Sequence, residues 1–374
     1  MTTIAERAGL EQARSDQPER VGIAAGVDTH LDTHTAAAVD ATGRQLGHHQ
    51  FPATAAGYRA LLAWLRSFGV LLVVGIEGTG AYGAGLARYL TGEGVALVEV
   101  DRPNRKMRRF AGKSDPIDAD AAARAALSQA QTGVPKQRSG QVEALRNLRV
   151  ARRSAVEQRA HCQQRIKTLI VTAPEALRAQ LRGLSPARLV ATCRALRPDQ
   201  TLIAQPEHAA KTALRCLARR HHALSAEIAD LDILIEPLVA QINPALLEQT
   251  GVGADVAGQL LVSAGENVER LHSEAAFAML CGVAPIPASS GRTQRHRLNR
   301  GGDRQANAAL HRVVLCRMRW DPRTRAYVER RTHEGLTKPE IIRCLKRYVA
   351  REIYQTLPTM ISNNNSSGRG LANP

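Results

Sequence analysis

Apolar and polar positions change rhythm along this chain, and each rhythm predicts a different kind of element. Between Val21 and Val100 the apolar residues come in short runs broken by turn residues. VGIAAGVD closes on Asp28; a second run, Thr35 to Val39, precedes the turn DATG (Asp40 to Gly43) and a third run through Gln50. This spacing predicts a β-hairpin extended to a meander. Thr54 to Phe68 sets Leu61, Leu62 and Leu65 on one helical face. VLLVVGI (Val70 to Ile76) reads as a strand buried on both faces that ends at Glu77. A Gly-rich turn, a helix from Tyr82 to Leu90 and a strand from Val95 to Val100 follow. A further helix opens in KSDPIDADAAA, Lys113 to Ala123. Strands first as a meander, then alternating with helices, predict an α/β sheet of mixed direction.

From Gln141 to about Pro244 the period becomes helical. Leu214, Leu217, His221, Leu224, Ile228, Leu231, Ile235 and Leu238 alternate spacings of three and four, which is a heptad seam. A matching seam runs through Leu145, Leu148, Arg152, Ala155, Arg159, Cys162, Ile166 and Leu169, with two Arg that keep it from being dry. An antiparallel helical hairpin, or a coiled coil shared between protomers, satisfies both. At Thr250 the texture changes again, and Gly251-Val-Gly253 between helical segments resembles a helix-hairpin-helix, whose turn amides donate to a DNA phosphate. A plain tight turn fits the same residues. Beyond Cys281 a rigid Pro285/Pro287 approach leads to the exposed turn Ser289-Ser290-Gly291, and Asp303 to Arg319 is helical again. Residues 1–19 and 358–374 read as disordered tails.

The chain's 374 residues suit two or three domains at roughly 150 residues each. Charge narrows the function: 51 Lys and Arg against 34 acidic residues imply a polyanionic partner, nucleic acid before membrane. The basic residues concentrate in Arg102, Arg105, Lys106, Arg108, Arg109 and Lys113, then in Arg292, Arg295, Arg297, Arg300 and Arg304, and again between 317 and 331. Six dispersed cysteines without a CxxC pair fit reduced intracellular thiols. The polar opening residues do not read as a secretory leader, and no run has the roughly 18 apolar residues of a membrane span. These features predict a soluble, cytosolic and basic protein.

The candidate chemistry is carboxylate chemistry. Asp115 and Asp118 stand three apart in a helical first turn and so share a face. Asp28 and Glu77 fall at strand ends, where open α/β sheets place their ligand sites. Each residue also has an ordinary role as a cap or strand terminator. Together the four make an oxygen donor set suited to magnesium, and two such ions clamp the attacking and leaving oxygens at phosphorus. Ser290, beside a block of Arg, is a candidate nucleophile that needs activation.

The motifs GVDTH around Asp28, IEGTGAY around Glu77, KSDPIDA around Asp115 and Asp118, and CGVAPIPASSG followed by RLNRGGDRQANAAL resemble the DEDD-type insertion-sequence transposases. These are bridge-RNA-guided recombinases related to the pilin-gene invertases, and the resemblance spans roughly Val21 to Tyr354. It implies a fold of α/β plus α type: a ribonuclease H-like, Holliday-junction-resolvase-like (RuvC-like) catalytic domain at 20–135, a helical coiled-coil region at 136–244, and a mostly helical C-terminal transposase domain with the helix-hairpin-helix-like element at 245–357. It implies two Mg2+ ions, with Mn2+ able to substitute, on Asp28, Glu77, Asp115 and Asp118, and Ser290 as the nucleophile of a covalent phosphoserine–DNA intermediate. Gly251, Gly253 and the basic clusters named above would hold nucleic acid. Donor and target DNA, a guide RNA encoded by the element, and a dimer that becomes a tetramer on DNA are the implied partners, with an active site composed from two subunits. One departure is Leu31, where the family often carries Lys; Asp120 is a competing carboxylate outside the motif spacing. Two alternatives remain at this stage: a metal-dependent junction nuclease in which water attacks, and a decayed DNA-binding protein.

Overall fold

Residues 22–100, 114–129, 132–292 and 295–357 are described by a computed structural model, and the chain divides into two units, Met1–Arg138 and Ser139–Pro374. The expected tails and the basic segment holding Arg102, Arg105, Lys106, Arg108, Arg109 and Lys113 lie outside the described residues.

The first unit is a mixed sheet with helices on both faces. Strands β1 (Gly22–Thr29), β2 (Thr33–Asp40) and β3 (Gln45–Pro52) form the expected antiparallel meander. The turn closing β2 onto β3 is built by Asp40. Its carboxylate accepts from the Thr42 hydroxyl at 2.6 Å and from the Thr42 and Arg44 amides at 2.9 Å. Helix α1 (Ala55–Arg66) is capped by Thr54 and leads to β4 (Val70–Glu77), which lies parallel to β1. Helix α2 (Ala84–Gly92) and the parallel strand β5 (Leu97–Val100) follow, then α3 (Asp115–Ser128) and a short antiparallel β6 (Thr132–Gly133). The strand order is β3-β2-β1-β4-β5-β6.

Strand alternation assigns the faces. Ile23, Ala25 and Val27 of β1 join Val74 and Ile76 of β4 against Leu61, Leu62 and Leu65 of α1 and Leu86 and Leu90 of α2. The opposite face carries small residues, and α3 settles onto it with its own alanines. A Cβ at Gly26 would lie 2.1 Å from the Ala123 amide nitrogen and 2.2 Å from the Ala119 carbonyl oxygen. One at Gly75 would lie 2.7 Å from the Ala122 oxygen. Only glycine lets the helix backbone approach the sheet so closely. The expectation that β4 is buried on both faces holds only from Val74 to Ile76, because Val70 is 44% and Leu72 53% exposed. The β1–β4 register slips between Ile23 and Ala24, so Leu72 has no partner on β1 and turns outward.

The second unit begins with two long helices, α4 (Gly140–Val171) and α7 (Pro206–Ile242), joined through α5 (Glu175–Leu181) and α6 (Pro186–Ala195). They run antiparallel: Leu145 clusters with Ile235 and Val239, Arg152 pairs with Asp232, and Ile166 clusters with Leu214 and Ala218. The buried stripe of α7 keeps Leu214, Leu224, Ile228 and Ile235 but takes Ala218 and Val239, while Leu217 and Leu238 are half-buried. The displacement has a packing cause, since α5 and α6 cover one end of the pair and later helices cover the other. His221 is half-buried at its seam position.

The rest of the unit comprises α8 (Pro244–Leu247), α9 (Ala254–Ala264), a 3-10 turn (Val268–Arg270), α10 (Glu274–Leu280), a hairpin of β7 (Ile286–Pro287) and β8 (His296–Arg297), and α11 (Arg304–Trp320), α12 (Pro322–His333) and α13 (Lys338–Thr356). Their apolar faces enclose Phe277, Leu260, Leu310 and Ile353 in one core with the base of the long pair. Arg149 (3.0 Å), Arg152 (3.2 Å) and Arg312 (2.5 Å) converge on Asp255 in the first turn of α9, so the seam arginine at 152 has carboxylate partners on two helices. Among the described residues no helix is long and apolar enough to cross a membrane.

Candidate active site

Asp28 occupies the α3 face of β1 because Ala24 and Gly26 do, four and two residues earlier. Glu77 holds the corresponding position on β4, two residues past Gly75. The last paired residues of the two strands are Val27 and Ile76, so Asp28 and Glu77 come next on neighbouring strands, roughly 4.8 Å apart along the sheet. The Thr29 hydroxyl donates to the Glu77 carbonyl at 2.8 Å and ties the strand ends together. Gly78, at φ +74°, then turns the chain away.

Helix α3 brings the other two carboxylates. Ser114 is its N-cap residue, so Asp115 lies inside the first turn instead of capping it, and Pro116 follows without loss because a first-turn amide needs no partner. Asp118, buried at 6% exposure, has its amide on the Ser114 carbonyl at 3.0 Å. Asp120 points elsewhere and takes the Arg124 guanidinium at 2.7 Å. Glu99 is likewise engaged, accepting from the Thr79 hydroxyl at 2.6 Å.

Between Asp28 and Asp115 stands His30. Its Nε2 is 3.2 Å from an Asp28 oxygen and 3.4 Å from an Asp115 oxygen. One ligand atom from each of these three residues lies within 4.8 Å of the others. Burial pushes the Asp28 carboxyl above its ordinary value. His30 opposes that rise, and the negative charges of Asp115 and Asp118 add to it. A carboxylate that resists ionisation beside two more carboxylates is a position a cation would relieve. The donor set of carboxylate oxygens with one imidazole suits a divalent ion.

Ser290 lies at the tip of the β7–β8 hairpin, exposed and followed by Gly291 at φ +54°. Its neighbour Ser289 closes the hairpin, accepting from the Arg295 amide at 3.2 Å. Ser290 forms a backbone bridge, and among the described residues no hydrogen bond engages its hydroxyl. Arg292, Arg295, Arg297 and Arg300 are exposed around it, and Arg304 starts α11. A cleft of about 400 Å³ opens at the foot of the hairpin, lined by His296 and Arg297 and by Arg343, Lys346 and Arg347 of α13. Lys346 donates to the Asn307 side chain at 2.8 Å, and burial draws its pKa down. The Gly251 turn packs inward, where a Cβ would lie 3.3 Å from Cys316, whereas Gly253 has open space around it.

Comparison with known proteins meets this geometry at both ends of the chain. The transposase family of DEDD, IS110 type matches residues 25–173, and the transposase IS116/IS110/IS902 family matches residues 243–329. This chain belongs to the IS110-type DEDD transposases. The insertion element IS900 uncharacterized 42 kDa protein of Mycobacterium paratuberculosis is 29% identical over 151 residues. That alignment covers 40% of this chain and 38% of the IS900 protein, so the chain spans less than two fifths of the relative it matches. Families of this kind are DNA-cleaving and rejoining enzymes.

Within this IS110-type chain, the first unit brings Asp28 and Asp115 together with His30 and sets the Asp118 charge near Asp28, while Glu77 stands at the neighbouring strand end and Ser290 lies in the second unit. Sequence reasoning passed over His30. The signal was present in GVDTH, since His30 follows Asp28 by two residues at the point where β1 gives way to the turn. Lys346 carried no local signal: its neighbours read as an ordinary Arg-rich helix, and only packing against Asn307 half-buries it.

Proposed function

We propose that this chain is the transposase of an insertion sequence, cutting and rejoining DNA through a Mg2+-dependent carboxylate site and a serine nucleophile. The observation that carries the reading is the approach of Asp115 and Asp118, in the first turn of a helix pressed onto the sheet, to Asp28 at the end of β1, with Glu77 at the neighbouring strand end. An antiparallel meander leading into parallel strands, in the order β3-β2-β1-β4-β5, supports a ribonuclease H-like, resolvase-like domain. Mg2+, with Mn2+ as a substitute, would supply Lewis-acid charge at the scissile phosphate. Ser290 supplies the attacking oxygen. Its bond to phosphorus forms as the bond to the strand's own bridging oxygen breaks, the serine proton ends on that departing oxygen as a strand hydroxyl, and a phosphoserine–DNA link is left. Arg292, Arg295, Arg297 and Arg300 hold non-bridging phosphate oxygens, because a guanidinium forks onto them.

The antiparallel α4–α7 pair supports a coiled-coil arm for assembly into dimers and, on DNA, tetramers. Gly253, open at the N-terminus of α9, supports a helix-hairpin-helix-like approach to a phosphate. The surplus of Lys and Arg suits donor and target DNA together with an element-encoded guide RNA. The test uses purified protein, supercoiled DNA bearing the element's junction, its flanking noncoding RNA and Mg2+, quenched in denaturant. A protein–DNA adduct that disappears in Ser290→Ala and in Asp118→Ala is the expected result. Cleavage that survives Ser290→Ala would replace the serine mechanism with attack by water, and metal-independent binding without cleavage would leave a DNA-binding protein.

A further inference from the structure

A single imidazole nitrogen facing two carboxylates is an awkward hydrogen-bonding arrangement. Nε2 carries at most one N–H, and that hydrogen can align with only one acceptor. Yet the Asp28 and Asp115 oxygens stand at nearly equal distances from it, 3.2 and 3.4 Å. Donor atoms sharing a cation have this spacing. Metal–ligand bonds of about 2.1 Å place neighbouring donors about 3.0 Å apart in an octahedron and about 3.4 Å apart in a tetrahedron. The backbone that carries the ring is held in place. His30 begins the tight turn between β1 and β2, with its amide on the Thr33 carbonyl at 3.0 Å, while the ring itself stays half exposed.

We infer that His30 is a nitrogen ligand of the metal site, joining Asp28 and Asp115, and that it biases the site toward Mn2+ over Mg2+. The inference rests on the carboxylate-site reading above and adds a donor which that reading lacks. Its chemical consequence follows from ligand type. Magnesium selects oxygen donors and keeps its water, whereas imidazole favours the transition ions. Replacing a nitrogen donor by an amide therefore weakens Mn2+ more than Mg2+ and narrows the preference.

The experiment uses the full chain with Mn2+ and Mg2+ as probes, and needs no DNA. Calorimetric titration gives the two affinities. Electron spin-echo modulation reports whether a nitrogen-14 nucleus is bonded to bound Mn2+. The expected result is a nitrogen signal in the parent protein that is absent in His30→Gln, with Mn2+ affinity lowered roughly 10–100-fold, in the range seen when supporting ligands of metal sites are removed, and Mg2+ affinity lowered less. His30→Ala should behave as His30→Gln does, because the ring supports no core packing. Equal Mn2+ binding with no nitrogen signal in either protein would overturn the inference and leave the carboxylate site standing. A parent protein that binds neither ion while Asp28→Asn behaves identically would overturn the carboxylate site itself.

Discussion

Gly26→Ala is the most searching single perturbation of the first unit, because it moves the site without touching a carboxylate. The new Cβ would meet the Ala123 nitrogen at 2.1 Å and the Ala119 oxygen at 2.2 Å, both atoms of the α3 backbone. Ordinary contact begins near 3.4 Å, so α3 must retreat by about 1.3 Å at that point, since backbone cannot rotate aside as a side-chain tip does. Asp115 and Asp118 ride on the same helix, and the site opens by a comparable amount. Overpacking of this kind costs roughly 1–3 kcal/mol, or more where backbone must shift. A misplacement of about 1 Å at a reacting centre costs on the order of 100-fold in rate. The assays are thermal unfolding, Mn2+ titration and DNA cleavage on one preparation. Gly92→Ala is the control, since Gly92 ends α2 with no atom within 4 Å of its Cβ position. Gly26→Ala is expected to lower stability, metal affinity and cleavage together while Gly92→Ala changes none of them. A Gly26→Ala protein that keeps its melting temperature and its Mn2+ affinity would refute the claim that α3 is seated on that glycine.

Asp28→Asn should raise the melting temperature at neutral pH in metal-free buffer. The folded pKa of Asp28 lies above its unfolded value, so its contribution to stability is full below about pH 3.8 and is lost as pH rises through the folded pKa; the amide removes that loss, and added Mn2+ should stabilise the parent but not the variant. Melting curves at pH 4, 6 and 8 with and without Mn2+ check both statements, and a variant less stable than the parent at pH 8 would contradict them. Asp255→Ala leaves Arg149, Arg152 and Arg312 without their shared carboxylate, and denaturant unfolding should show a loss of about 2–4 kcal/mol, whereas Asp255→Glu should recover part of it. Charge reversal at Lys346 to Glu should weaken binding of short DNA duplexes and reduce its salt dependence, read by fluorescence anisotropy across a salt series, because it places a negative charge in the basic cleft below Ser290.

The sheet and its carboxylate edge were legible because alternation and turn chemistry are local. GVDTH carries its strand, its face and its acid within five residues, and the Asp115/Asp118 pair announces its helix turn. What sequence reading could not supply came from contact between distant segments. The outward turn of Leu72 depends on a register slip against β1, and the choice of Ala218 over Leu217 depends on which helices flank each end of the long pair. Asp255 reads as an unremarkable first-turn acid beside a Gly-x-Gly, and only the fold makes it the common partner of three arginines. His30 lay within reach of the alternation rule but was masked by the stronger carboxylate pattern around it.

The hairpin bearing Ser290 leaves the helical core and comes back to it at nearly the same place. A Cβ at Gly302 would stand 2.2 Å from the Gly282 nitrogen, Asp303 donates its amide to Leu280 at 2.6 Å, and Asn307 donates to the carbonyls of Cys281 and Gly282 at 3.0 Å. The excursion from 283 to 301 is thus drawn shut at its neck, independently of what its tip contains. Loop-closure entropy depends only weakly on length once the ends are held together. Lengthening, shortening or exchanging the tip therefore leaves the helices beneath almost untouched, so this segment is an interchangeable cassette in which reach and sequence preference can diverge while the scaffold stays fixed.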